Sequence, residues 1–160
     1  MKKDDPGPTR RDFLDGATRF AGGAGLLLTV DASTARATPE SMHAAVKALV
    51  GDVALSKGKV KLELPPLVEN GNSVTTTVSV ESPMTAENHV KTIHVFNEKN
   101  PQPNVIGVRL GPRAGRATFS TRIRLADSQK ITAIAEMSDG SFWFDEADVV
   151  VTMAACVEVL

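Results

Sequence analysis

From residue 116 to residue 125 the chain alternates without a break: Ala117, Phe119, Thr121, Ile123 and Leu125 form one set, Arg116, Thr118, Ser120, Arg122 and Arg124 the other. Successive side chains of a strand point to opposite faces, so this pattern predicts a strand with the first set on a core and the second in water. Ser73 to Glu81 repeats the pattern after the turn Glu69-Asn70-Gly71-Asn72, with Val74, Val78 and Val80 opposite Ser73, Thr75, Thr77 and Ser79. Five more segments rich in Val, Ile, Thr and Phe read as strands: 59–64, 89–97, 105–110, 130–137 and 146–154. Pro, Gly and Asn clusters such as Pro65-Pro66 and Asn100-Pro101-Gln102-Pro103-Asn104 separate them. Residues 40–50 have another period. Met42, Val46, Leu49 and Val50 fall near one side of a 3.6-residue repeat behind Thr38-Pro39, which predicts a short amphipathic helix. The expected fold is all-β, an immunoglobulin-like antiparallel β-sandwich of about seven strands preceded by a short N-terminal helix.

Phe142-Trp143-Phe144 follows the turn Ser138-Asp139-Gly140-Ser141. Three adjacent aromatics on a strand cannot share one face, so two are expected to fill the sandwich and the third to cover an edge. Exposure of Trp143 in a partner interface is the alternative.

The N-terminus carries Thr9-Arg10-Arg11-Asp12-Phe13-Leu14, a weakly apolar stretch from Phe20 to Val30, and Ala35-Arg36-Ala37. Paired arginines, an apolar run and a small-residue cleavage site, in that order, predict a twin-arginine signal peptide over residues 1–37 and a periplasmic protein. The apolar stretch is about half of what a bilayer-spanning helix needs, so no stable membrane anchor is expected. Removing residues 1–37 leaves 12 basic and 14 acidic residues, a net charge of minus two. Such near-neutrality argues against a nucleic-acid partner. The remaining length suits one domain, residues 38–153, with a cysteine-bearing tail at 154–160.

No nucleophile elbow, phosphate loop or dinucleotide fingerprint is present, and Gly111-Pro112-Arg113-Ala114-Gly115-Arg116 reads as a tight connection between two strands. His43, His89 and His94 have no metal-ligand spacing. Neither catalytic residues nor a metal or cofactor site is expected. Arg109, Arg113, Arg116, Arg122 and Arg124 gather positive charge on what reads as one hairpin. They form either a solvated sheet surface or a docking patch for an acidic partner, with Trp143 as a further candidate for that surface.

Cys156 is the chain's one cysteine, the fifth residue from its end. It cannot form an internal disulfide. An exported lone thiol stays buried as a small apolar residue, pairs with another molecule, or carries something covalently. An ordinary thiol near pKa 8.5 is only a few per cent ionised at neutral pH. Glu158 and the terminal carboxylate would disfavour the thiolate further. Partner enzymes would therefore have to activate the sulfur.

Several dispersed blocks then resemble the SoxY family, the sulfur-carrier subunits of the periplasmic thiosulfate-oxidising system. They are Asn70–Val74, Val80–Met84, Ile93–Phe96 with Glu98–Pro101, Leu110–Arg116, Ser120–Leu125 and Ala135–Trp143, and the resemblance spans residues 42–156. It implies a mechanism in which a c-type haem enzyme joins thiosulfate oxidatively to the near-terminal cysteine, here Cys156. A hydrolase then releases sulfate, and the remaining sulfur is oxidised on the carrier. It also implies a heterodimer with SoxZ, a second β-sandwich protein without its own export signal. Where the family ends in Gly-Gly-Cys-Gly-Gly, this chain has Ala154-Ala155-Cys156-Val157-Glu158, which adds Cβ bulk and restricts the backbone. The expected function is covalent carriage of sulfur compounds on Cys156. Its alternatives are a protein-pairing module with a structural tail cysteine and a redox protein forming intermolecular disulfides.

Overall fold

The computed structural model describes residues 37–155. Helix α1 spans Pro39–Val50 and is started by a reciprocal cap. The Thr38 hydroxyl accepts from the Ser41 amide at 3.2 Å, and the Thr38 amide donates to Ser41 Oγ at 2.8 Å. Pro39 fits the first turn because the amide it lacks would have had no helical partner there. Thr38→Ala is expected to cost about 1 kcal/mol, read as a lower urea midpoint at unchanged slope. No helix among the described residues is long and apolar enough to cross a membrane.

The strands are β1 (Leu55–Lys57), β2 (Val60–Glu63), β3 (Leu67–Val68), β4 (Val74–Val80), β5 (Val90–Asn97), β6 (Asn104–Arg109), β7 (Ala117–Ile123), β8 (Gln129–Met137) and β9 (Phe142–Val151). Seven of them lie where the alternation places them. β9 differs most, beginning at Phe142 instead of Glu146 and ending at Val151 instead of Ala154. One sheet runs β2-β4-β7, and the other runs β1-β9-β8-β5-β6 with β3 also on β9. The main ladders are antiparallel, whereas β1 and β3 pair with β9 in parallel. This is the expected immunoglobulin-like sandwich, with two short strands added along one edge.

Between the sheets lie Val60, Leu62, Val74, Val78, Val80, Ala117, Ile123 and Leu125 from one side, and Val90, Ile93, Val95, Ile131, Ala133, Ala135, Met137 and Val149 from the other. Val90 and Ile93 share this core although they are three apart, because the β5–β8 register shifts between Val90 and Thr92. β5 and β8 are buried on their second face as well. There Phe96 and Ile134 join Phe142 beneath Met42 and Val50 of the helix.

The helix-covered face corrects the expected placement of the aromatic triplet. Phe142 and Phe144 lie in the cluster under α1, and only Trp143 packs against the sandwich interior. Alternation is obeyed, but α1 creates a second apolar layer outside the sheet and so reverses which face holds the pair.

Candidate functional site

The last described residues are held to the sandwich by backbone hydrogen bonds. Val150 donates to Pro66 at 2.9 Å, Thr152 to Val68 at 2.9 Å and Met153 to Glu69 at 3.2 Å. Met153 in turn accepts from the Gly71 amide at 2.8 Å, and Ala155 donates to the Leu125 carbonyl at 3.0 Å. Regular strand pairing stops at Val151, yet the chain stays bonded as far as Ala155, which is only 7% exposed. Cys156, the expected attachment residue, lies outside the described residues, as does the expected signal peptide of residues 1–37 apart from Ala37. Ala37 is buried, and its amide donates to the Asn100 carbonyl at 2.7 Å.

The arginines do not share a hairpin. β6 belongs to the larger sheet and β7 to the smaller, so the segment between them crosses from one sheet to the other. The crossing is made by a 3-10 turn at Pro112–Ala114 and by Gly115, whose φ of 74° suits a residue without Cβ. Arg113 sits in that turn, Arg116 precedes β7, Arg122 pairs opposite Thr75, and Arg124 follows the strand; all four are exposed. The ion pairs among the described residues use lysines: Lys47–Asp52, Lys57–Glu146, Lys61–Glu63, Lys91–Glu136, Lys99–Asp127 and Lys130–Glu146.

Trp143 lies elsewhere, on β9 beside β1 and near the β2 edge. Its indole Nε1–H donates to Ser141 Oγ at 3.1 Å, and the Lys59 ammonium lies 4.4 Å from the ring centroid. β4 lies between β2 and β7, so Trp143 and the β7 arginines occupy opposite edges of the sandwich. They do not form one patch.

Groups of three or more metal-ligating side chains are absent among the described residues. His43 is exposed on α1, and His89 Nδ1 lies 3.1 Å from the Thr85 carbonyl. His94 is half-buried on the outer face of β5, its ring 6.1 Å from Phe96 and against Gly107, where an added Cβ would meet it at 3.1 Å. Its Nδ1 has no hydrogen-bond partner among the described residues. Burial lowers its pKa most, Glu136 raises it, and Arg109 lowers it further.

The unfolded chain therefore binds this proton more tightly than the folded one. Stability is full above the ordinary value of 6.5 and falls as pH drops from there toward the lowered folded value. Urea melts across that window should show acid destabilisation that His94→Gln reduces. An identical slope in the variant would assign the acid sensitivity to other groups.

The sequence matches the family described as "Sulfur oxidation protein SoxY" over residues 46–156, which is well over half of the chain. The chain belongs to the SoxY family. The fold is similar to that of the sulfur carrier protein SoxY from Chlorobium limicola f thiosulfatophilum, with a TM-score of 0.60 and 23% identity over 71% of this chain and 98% of that one. It is also similar to a superoxide reductase (neelaredoxin) from Ignicoccus hospitalis, with a TM-score of 0.53 and 18% identity over 72% of this chain and 94% of that one. At such identities the likeness concerns the fold alone, and the same sandwich serves unrelated chemistry. Among curated proteins, none matches this sequence.

The sequence pattern missed Gly71 and Leu125 as neighbours of the tail. Asn70-Gly71-Asn72 signals a turn, and the Asn70 side chain does accept from the Asn72 amide at 3.0 Å. A turn signal says nothing about which distant strand will pack on it.

Proposed function

We propose that this SoxY-family protein is a covalent carrier of sulfur-compound intermediates, with Cys156 as the attachment site. One observation carries the reading: the family match ends at residue 156, the chain's sole cysteine. The protein is not itself an enzyme in this reading. It works in the periplasm after export by the twin-arginine route, as a heterodimer with a SoxZ-like β-sandwich protein. The exposed arginines at 113, 116, 122 and 124, and separately Trp143, are candidate contact points.

The chemistry has two steps. The Cys156 thiol and thiosulfate join through a new S–S bond, releasing one proton and two electrons to a c-type haem partner. Water then cleaves the bond between the sulfane sulfur and the sulfonate, giving sulfate, a proton and a persulfide that stays on the carrier. An ordinary thiol suffices for this, because the haem enzyme supplies the oxidation.

Intact mass spectrometry after incubation with thiosulfate and the haem partner tests the proposal. The expected result is a mass increase equal to one thiosulfate less one proton. An unchanged mass, with a thiol that resists alkylation until the chain is unfolded, would overturn it. That outcome would favour the pairing module with a structural tail, which the bonding of the chain through Ala155 also favours.

A further inference from the structure

A sandwich of two open sheets has two sides where strand edges meet water, and here the two sides are built differently. On one side the edges are short and charged. β1 and β3 have three and two residues, and β2 carries Lys61 and Glu63. The Leu62 amide donates to the Asp145 carboxylate at 2.9 Å, which straps β2 to β9 across the sandwich. Trp143 on this side is already engaged by Ser141 and Lys59. Short strands and charges are devices by which proteins keep a free edge from pairing.

The β6/β7 side lacks these devices. β6 and β7 have six and seven residues, and among the described residues each pairs with one neighbour, β5 and β4 respectively, so both present a free edge. Val105, Ile106, Leu110 and Phe119 pack on the sandwich core but are only partly buried, which leaves an apolar strip open along this side. Residues 104–125 contain five arginines and no Asp or Glu. Arg109, Arg113, Arg116, Arg122 and Arg124 are all exposed, and none is in an ion pair among the described residues. Alternation puts Arg109 on the face of β6 opposite to Ile106, and Arg122 on the face of β7 opposite to Phe119. Positive charge therefore flanks the apolar strip.

An apolar centre with arginines around it is the composition of a docking surface, where arginine is enriched and lysine depleted. The charge also selects the occupant. A second copy of this chain on a two-fold axis would bring the patch against itself, arginine against arginine. Like charges facing each other across an interface oppose association, whereas carboxylates on a different protein would favour it.

Resting on the heterodimer reading above, we propose that the β6/β7 side is the face that receives the partner protein, and that the partner presents apolar side chains surrounded by carboxylates. Ile106 and Phe119 form the dry centre of the contact, and the arginines steer the encounter and fix its register.

Binding of the purified SoxZ-like partner to the full chain, followed by calorimetry and hydrogen exchange, tests the proposal. Ile106→Lys places a charge in the apolar strip, and its Kd should rise about thirtyfold, the scale of a central interface residue. The double variant Arg109→Glu, Arg122→Glu changes only exposed side chains, so it should fold normally and bind about tenfold more weakly, mostly through a slower association rate. Lys61→Glu, on the opposite side, should bind like the parent. The β6 and β7 amides should gain protection in the complex, and raising the salt concentration should weaken it.

Unchanged affinity in the arginine variant, or protection that appears on β1 and β2 instead, would overturn this assignment and leave the heterodimer reading standing. Self-association of the chain that Ile106→Lys abolishes would put a second copy on this side and overturn the acidic partner. Absence of any binding by the parent chain would overturn both readings.

Discussion

Cys156→Ala is expected to reduce thiosulfate-dependent sulfate release in a reconstituted system to the level seen without the carrier. The chain contains no second thiol that could take over. A serine at the same position should fail as well, because a hydroxyl cannot form the sulfur–sulfur bond on which both proposed steps depend. The loss should appear in kcat, with no concentration of the variant restoring turnover. An unchanged melting transition would separate lost chemistry from lost folding. Retained turnover in Cys156→Ala would place the sulfur chemistry outside this residue.

Phe96→Ala should have the largest effect on stability. Phe96 is 2% exposed and lies with Met42, Val50, Ile134 and Phe142 in the layer between α1 and the larger sheet. Truncating a buried phenylalanine removes its transfer free energy and leaves a cavity, together about 3–5 kcal/mol. That is a large fraction of the roughly 5–15 kcal/mol by which domains are stable. Because β5 also contributes Ile93 and Val95 to the sandwich core, damage on its outer face should be transmitted directly to the core. The expected urea midpoint falls steeply, and the α1 amides should lose protection before those of β4 and β7. A cost below about 1 kcal/mol would mean that the helix is not seated on this face.

The strands that alternate apolar and polar residues were the most legible part of the fold. β4 and β7 belong to a two-layer sandwich and have one wet face, so period two in the sequence maps directly onto burial. Legibility declined where both faces are covered. Ile131 to Ala135 is buried at every position, which conceals the alternation, and the outer layer under α1 misled the reading of Phe142-Trp143-Phe144.

β1 and β3, with three and two residues, are too short to carry a pattern, and they exist because β9 offers them a parallel edge far away in sequence. The arginine hairpin failed for a related reason. Adjacent strands usually pair, but the Gly111–Gly115 connection crosses between sheets, and local sequence does not encode that choice.

At the site, the chemistry was more legible than the geometry. A single near-terminal cysteine is the residue proposed to carry sulfur, and the family match over residues 46–156 supplies the context. The hydrogen-bonded junction that holds Ala155 could not be read in the same way. Gly71 looks like any turn glycine, and its need for glycine comes from the Leu125 carbonyl, 54 positions further along the chain.

Whether sulfur intermediates are carried on Cys156 is decided by peptide mapping of the protein isolated from cells oxidising thiosulfate. Under non-reducing digestion, the C-terminal peptide containing Cys156 should carry thiosulfonate or persulfide mass additions that a thiol reductant removes. Finding that peptide only as free thiol, or as a mixed disulfide with another protein, while thiosulfate is being oxidised, would rule out carriage on Cys156.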